Sequence, residues 1–185
     1  MDETPAGISR ATGDPDVTRP EQRLRRVVAA ARPRLESLPG SRAGIPRSEG
    51  KWSPKEIIGH LVDSASNNHQ RFVRAQFTDD LLCSGYDQNE WVARQRHASA
   101  PWDELVSFWA LYNLHLARVI EACPSEARSR ARLRHNLHEV AFRVVPPDRP
   151  ATLEYLMADY VDHLEHHLAQ IPGAMDPPGD RSFGA

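Results

Sequence analysis

The stretch that most constrains this chain is Asp159-Tyr160-Val161-Asp162-His163-Leu164-Glu165-His166-His167-Leu168-Ala169-Gln170-Ile171. Read as a helix, each residue turns about 100° further around the axis. Leu153, Met157, Tyr160, Leu164, Leu168 and Ile171 then share one apolar arc, with Leu156 at its edge, the spacing of a helix that buries one face. His163 and His167 continue that edge one turn apart, so both imidazoles can address one divalent ion. His166 falls roughly 60° further round, towards solvent. The plainer alternative is a solvated flank with spare imidazoles.

A third histidine lies far upstream, in Lys51-Trp52-Ser53-Pro54-Lys55-Glu56-Ile57-Ile58-Gly59-His60-Leu61-Val62-Asp63. Ser53 suits an N-cap, Pro54 the first helical position, and Glu56 completes a capping box. Ile57, Ile58, Leu61, Val62, Ala65 and Phe72 form the buried face. His60 sits about 60° from Ile57, on a seam where a neighbouring helix could bring His163 and His167 against it.

These segments carry a family resemblance. Trp52-Ser53-Pro54 with Glu56 and His60-Leu61-Val62-Asp63, then Gly85-Tyr86-Asp87-Gln88, then His163 with His167-Leu168-Ala169-Gln170-Ile171, resemble the DinB/YfiT-like superfamily. The match runs roughly from residue 20 to 172. It implies an all-α four-helix bundle holding one divalent metal through His60, His163 and His167.

A chain of 185 residues with 40% hydrophobic and 26% charged residues suffices for one globular domain. A net charge of −2 provides no basic field for nucleic acid. No apolar run approaches the roughly 20 residues that span a bilayer, and the polar N-terminus lacks a signal peptide's apolar core. Cys83 and Cys123 make no disulfide framework. The expectation is a cytoplasmic protein that acts on a small molecule, with a homodimer as an open option.

Along the chain, residues 1–17 read as a disordered tail, 18–172 as the bundle and 173–185 as a second tail. Thr18 and Glu21 give a capping-box signal, and Leu24, Val27, Val28, Ala31, Leu35 and Leu38 recur at helical spacing. Pro33 should kink that helix or leave an amide unpaired, and Pro39-Gly40 should stop it. The four helices are expected at about 19–38, 54–77, 102–123 and 152–171. The third carries Leu105, Phe108, Trp109, Tyr112, Leu116, Val119 and Ile120 inward, with His115 as a rival ligand. The basic run through Arg128, Arg130, Arg132 and Arg134 reads as a solvated face, with His135 and His138 on the surface.

A long connection over 78–100 is what a bundle needs when its second and third helices run parallel. It could fold Tyr86-Asp87-Gln88 over the site, making Asp87 a candidate catalytic group. The alternative is a short structural helix with Trp91 plugging the bundle end. Glu56 and Asp63, about one turn either side of His60, are candidates to orient its ring. Glu56 is also a candidate catalytic carboxylate, and Asn67, Arg71 and Arg74 are candidates to bind a cofactor.

Three imidazoles leave a divalent ion with open positions, as in catalytic zinc sites. Zinc and nickel both suit imidazole nitrogen. Such an ion lowers the pKa of a bound water or thiol. The resemblance implies a low-molecular-weight-thiol S-transferase or a metal-dependent hydrolase. The Ala/Arg/Pro-rich composition points to a high-GC genome, in which mycothiol is a candidate thiol. The competing class is a helical binding or regulatory module that its metal only braces.

Overall fold

The computed structural model describes residues 19–175. Four long helices form a bundle: α1 (Pro20–Ser37), α3 (Pro54–Arg74), α5 (Trp102–Ala122) and α8 (Leu153–Leu168). Short helices fill the connections: α2 (Gly40–Ala43), α4 (Gln88–Arg94), α6 (Ser125–Ser129) and α7 (Leu137–Val140), with one 3-10 turn at His97–Ser99. Two isolated bridges, Leu81 with His135 and Arg132 with Ala151, are the β-type pairings among the described residues. Among the described residues, no helix is long and apolar enough to cross a membrane.

Side-chain pairs fix the helix directions. The Trp102 indole donates to the Leu35 carbonyl at 2.9 Å and Arg25 reaches Glu121 at 2.6 Å, so α1 and α5 run antiparallel. Arg23 pairs with Asp162 and Glu165 while Arg34 donates to the Ala174 carbonyl, so α1 and α8 run parallel. His60 meets His163 and Phe72 meets Tyr160, so α3 and α8 are antiparallel. It follows that α3 and α5 run the same way. A hairpin cannot join them, and residues 75–101 make the crossover.

The core follows the apolar arcs. Leu24, Leu35, Ile58, Leu61, Phe72, Trp109, Leu116, Ile120, Leu153, Met157, Tyr160, Leu164 and Leu168 are all buried. Ser53 caps α3 through a capping box with Glu56, and the Thr152 side chain caps α8. Ile171 and Ala174 extend the core past α8, so the packed chain reaches beyond the expected boundary at 172. The segment 1–17 and Thr18 lie outside the described residues, as do residues 176–185. Arg19, without a side-chain cap, stands at the N-cap of α1, and Pro20 takes its first position. Pro33 lies inside α1, which runs on to Ser37.

Several local expectations need correction. Phe108 is 54% exposed, because α5 turns Val106, Ala110, Asn113 and Ala117 inward instead. The helix expected to reach residue 77 ends at Arg74. Just beyond, the Arg132 guanidinium takes the Ala75 carbonyl at 2.7 Å. Arg132 is therefore buried, also donating to the Ala127 and Arg130 carbonyls, and is no part of a solvated face. His135 is buried too: it bonds the Arg149 carbonyl at 2.7 Å and accepts from the Leu137 amide. His138 is exposed. Trp91 packs on Tyr86 and remains 37% exposed, so it does not plug the bundle.

Candidate metal centre

His60 on α3 meets His163 and His167 on α8. One ring nitrogen from each lies within 4.8 Å of the others. The Nε2 atoms of His60 and His163 are 3.2 Å apart. Outer contacts orient two of the rings. His163 Nδ1 faces the Ser64 hydroxyl at 3.4 Å, and His167 Nδ1 faces the Gln170 amide at 3.4 Å, which turns its Nε2 the other way. His60 Nδ1 is buried without a partner. Trp52, one residue ahead of the α3 cap, lies over His60 and His167 with centroids 5.0 and 6.2 Å away.

This setting keeps the imidazoles neutral. Burial, then the neighbouring His167 and His97, lower His60 to about 3. Burial and the adjoining His167 and His60 hold His163 at about 2. Burial and His166 take His167 to about 4. Neutral nitrogen is the form that ligates a metal. Two nitrogens at 2.0–2.1 Å from one tetrahedral ion stand roughly 3.3 Å apart, close to the observed His60–His163 separation of 3.2 Å. The donor set therefore fits a divalent ion.

The cluster forms part of the wall of a cavity of about 420 Å³. Helix α3 contributes Ser64, Asn68 and Arg71; the crossover contributes Gly85, Tyr86 and Gln88; residues 139–142 and α8 complete the lining. Asp159, buried in α8, accepts from the Phe142 and Arg143 amides at 2.9 and 2.6 Å and so anchors the segment that packs Phe142 on His163 and His166. Burial is the main influence raising the Asp159 pKa, and those two amides oppose it. Burial and then the charge of Asp63 push Tyr86 up to about 12, against the pull of Arg71 and Ser64.

The other candidate residues fall elsewhere. Glu56 is occupied by its capping box, accepting from the Ser53 amide and hydroxyl at 2.8 and 2.7 Å. Asp87 caps α4, accepting from the Asn89 and Glu90 amides at 2.9 and 3.0 Å. Both were expected as candidate catalytic carboxylates; neither lines the cavity, and each carboxylate is turned to a helix start. Asn67 donates to the Asp63 carbonyl and, with Arg74, lines a separate groove. One step of about 100° separates Asn67 from Asn68, and it is Asn68 that reaches the cavity. Arg71 lines it. His115 packs on His69 at 4.9 Å, away from the cluster.

Asp63 does not orient His60 either. Its carboxylate accepts from Gln95 at 2.6 Å and pairs with His97 Nε2 at 3.2 Å. His97 had no periodic signal, since it lies in an irregular crossover; the cue was Gly59, directly before His60. A Cβ at Gly59 would come within 2.2 Å of the His97 ring.

A helical bundle with three converging imidazoles beside a cavity defines a class of candidate metalloprotein. The chain belongs to the DinB superfamily, whose model matches residues 23–171. It is similar to YfiT of Bacillus subtilis (strain 168), with 24% identity over 152 residues, or 81% of this chain and 79% of that one. The solved structure of YfiT, described as "a probable metal-dependent hydrolase with an unusual four-helix bundle topology", superposes with a TM-score of 0.69 at 19% identity over 94% of this chain and 93% of that one. The crystal structure of the mycothiol-dependent maleylpyruvate isomerase superposes with a TM-score of 0.63 at 14% identity. That likeness covers 85% of this chain and 61% of the isomerase. Both structural likenesses concern the fold.

Proposed function

We propose that this protein is a divalent-metal-dependent enzyme acting on a small molecule, with zinc or nickel held by His60, His163 and His167. The observation that carries the reading is the place of the cluster: three imidazoles on the wall of a cavity of about 420 Å³, with no fourth His, Cys, Asp or Glu joining them among the described residues. A purely bracing metal is normally enclosed by four protein ligands, whereas an open position beside a pocket is how catalytic sites are built.

When bound, the ion would supply a lowered pKa for a water or thiol entering the cavity. The chain's own groups do the rest. Ser64 and Gln170 hold two imidazoles in the orientation that turns Nε2 inward. Trp52 covers two of the rings. Tyr86 and Gln88, on the crossover, line the cavity and would bound the substrate there.

Two nucleophiles suit this arrangement. A low-molecular-weight thiol such as mycothiol makes the protein an S-transferase: the sulfur–carbon bond forms, the electrophile's leaving group departs, and the thiol proton passes to solvent. Water makes it a hydrolase. The mycothiol-dependent isomerase supports the first by its fold, and the description of YfiT supports the second.

Incubating metal-loaded protein with a thiol panel and small electrophiles or esters distinguishes them. A transferase consumes thiol and electrophile together, and a hydrolase consumes the ester without thiol. Metal-loaded protein that turns over neither across a broad panel would favour the metal-braced binding module instead.

A further inference from the structure

Arg71 is an anomaly in the cavity. It projects from α3, is 9% exposed, and lines the same space as His60, His163 and Tyr86. Its Nη2 donates to the Ser84 carbonyl at 2.7 Å and its Nη1 reaches Asn68 Oδ1 at 3.4 Å. Its Nε is buried and bonds nothing. None of the ion pairs among the described residues includes it.

The two cavity carboxylates are directed elsewhere. Asp159 accepts from the Phe142 and Arg143 amides, and Glu139 bonds Asn136 and faces His138. A buried cation without a counter-charge is unfavourable, because desolvation is not offset by an opposite charge. Arg132 is also buried, with an unbonded Nε and no ion pair among the described residues, but it is held by three backbone carbonyls and does not line the cavity, as a structural arginine should be. Arg71 has one carbonyl, an unbonded Nε and a place in the cavity lining beside His60 and His163.

We propose that Arg71 is the anion-recognition group of the site, and that the molecule bound beside the histidines carries a carboxylate which pairs with its guanidinium. A planar guanidinium matches a carboxylate through two parallel N–H···O bonds. Asn68, which donates to the Ser64 carbonyl and holds Nη1, sets the plane of the fork; the Ser84 carbonyl ties Arg71 to the crossover. This deepens the functional reading above and rests on it for the role of the histidines. The specificity expected is for acidic small molecules, either a thiol bearing a carboxylate or an electrophile bearing one, over their neutral amides and alcohols.

The test has two arms with separate failures. In the first, metal-free full-length protein is melted in propionate or propionamide, with ionic strength matched by chloride. Propionate should raise the unfolding midpoint, propionamide should not, and Arg71→Gln should abolish the difference. Equal shifts from both probes, or a difference that survives Arg71→Gln, overturn the proposal, and the comparison on unaltered protein stands even if the variant folds poorly.

In the second arm, cobalt(II)-loaded protein is titrated with 3-mercaptopropionate and 2-mercaptoethanol, following thiolate-to-cobalt absorption. The carboxylate thiol should bind at least about tenfold tighter, the scale of one charge-assisted bond. Binding of both thiols with equal affinity also overturns the Arg71 proposal. Binding of neither thiol, with the first arm positive, contradicts the open metal site and leaves the anion site standing.

Discussion

The His97 ring lies directly on the backbone of Gly59, where a Cβ would come within 2.2 Å of it. The same ring pairs with the buried Asp63 carboxylate at 3.2 Å. Two contacts one turn apart on α3 thus clamp the crossover to the helix that carries His60. The residue before His97, Arg96, takes a left-handed backbone (φ 56°), which is uncommon for a side chain of that size.

Gly59→Ala should therefore push His97 off α3 and destabilise the fold by about 1–3 kcal/mol, the usual cost of overpacking, despite alanine's better helix propensity. Urea unfolding measures this. A variant as stable as the parent would show that the crossover yields without strain.

Asp159→Asn should loosen the part of the cavity wall that includes Phe142. The Asp159 carboxylate accepts two backbone amides, and an amide side chain keeps only one accepting oxygen. A loss of about 1–3 kcal/mol is expected, with faster hydrogen exchange at the Phe142 and Arg143 amides. Unchanged protection of both amides would contradict the role.

The helical arcs and caps of α3 and α8 were legible because apolar spacing and Ser53-Pro54-Lys55-Glu56 act locally. Helical phase likewise placed His60, His163 and His167 on facing seams. What escaped was tertiary. Arg132 looks like any surface arginine until Ala75 and Ala127 offer it carbonyls. Asn113, buried in α5, is explained by the Tyr160 hydroxyl that donates to it at 2.6 Å and by its own bond to the Trp109 carbonyl. Asp63 had two possible histidines within reach, and the irregular crossover decided for His97. Asp87 shows a role hidden from the sequence: its place in a loop expected over the site suggested chemistry, and its carboxylate caps the start of a short helix.

Asp87→Ala should consequently act through structure. Loss of the α4 cap is expected to cost about 1 kcal/mol, with metal content unchanged. A large fall in turnover at undiminished stability would return Asp87 to the chemistry.

Acid should weaken the metal-free fold. His60, His163 and His167 have folded pKa values near 3, 2 and 4, below the ordinary 6.5. Between those values and 6.5 the unfolded chain binds more protons than the folded one, so stability is full above about 6.5 and falls as pH drops below it. Bound metal adds a parallel loss, since protons compete for the same nitrogens. Thermal unfolding from pH 8 to 5 checks this; the metal-free midpoint should decline below about 6.5, less steeply in His60→Gln. A flat profile in both forms would contradict buried neutral imidazoles.

The most direct measurement is metal content by elemental mass spectrometry, on protein purified without a nickel column. The parent chain should carry about one divalent ion. His60→Ala, His163→Ala and His167→Ala should each lose most of it, and His166→Ala and His115→Ala should keep it. Full metal content in His163→Ala, or its loss in His166→Ala alone, would contradict three-histidine ligation.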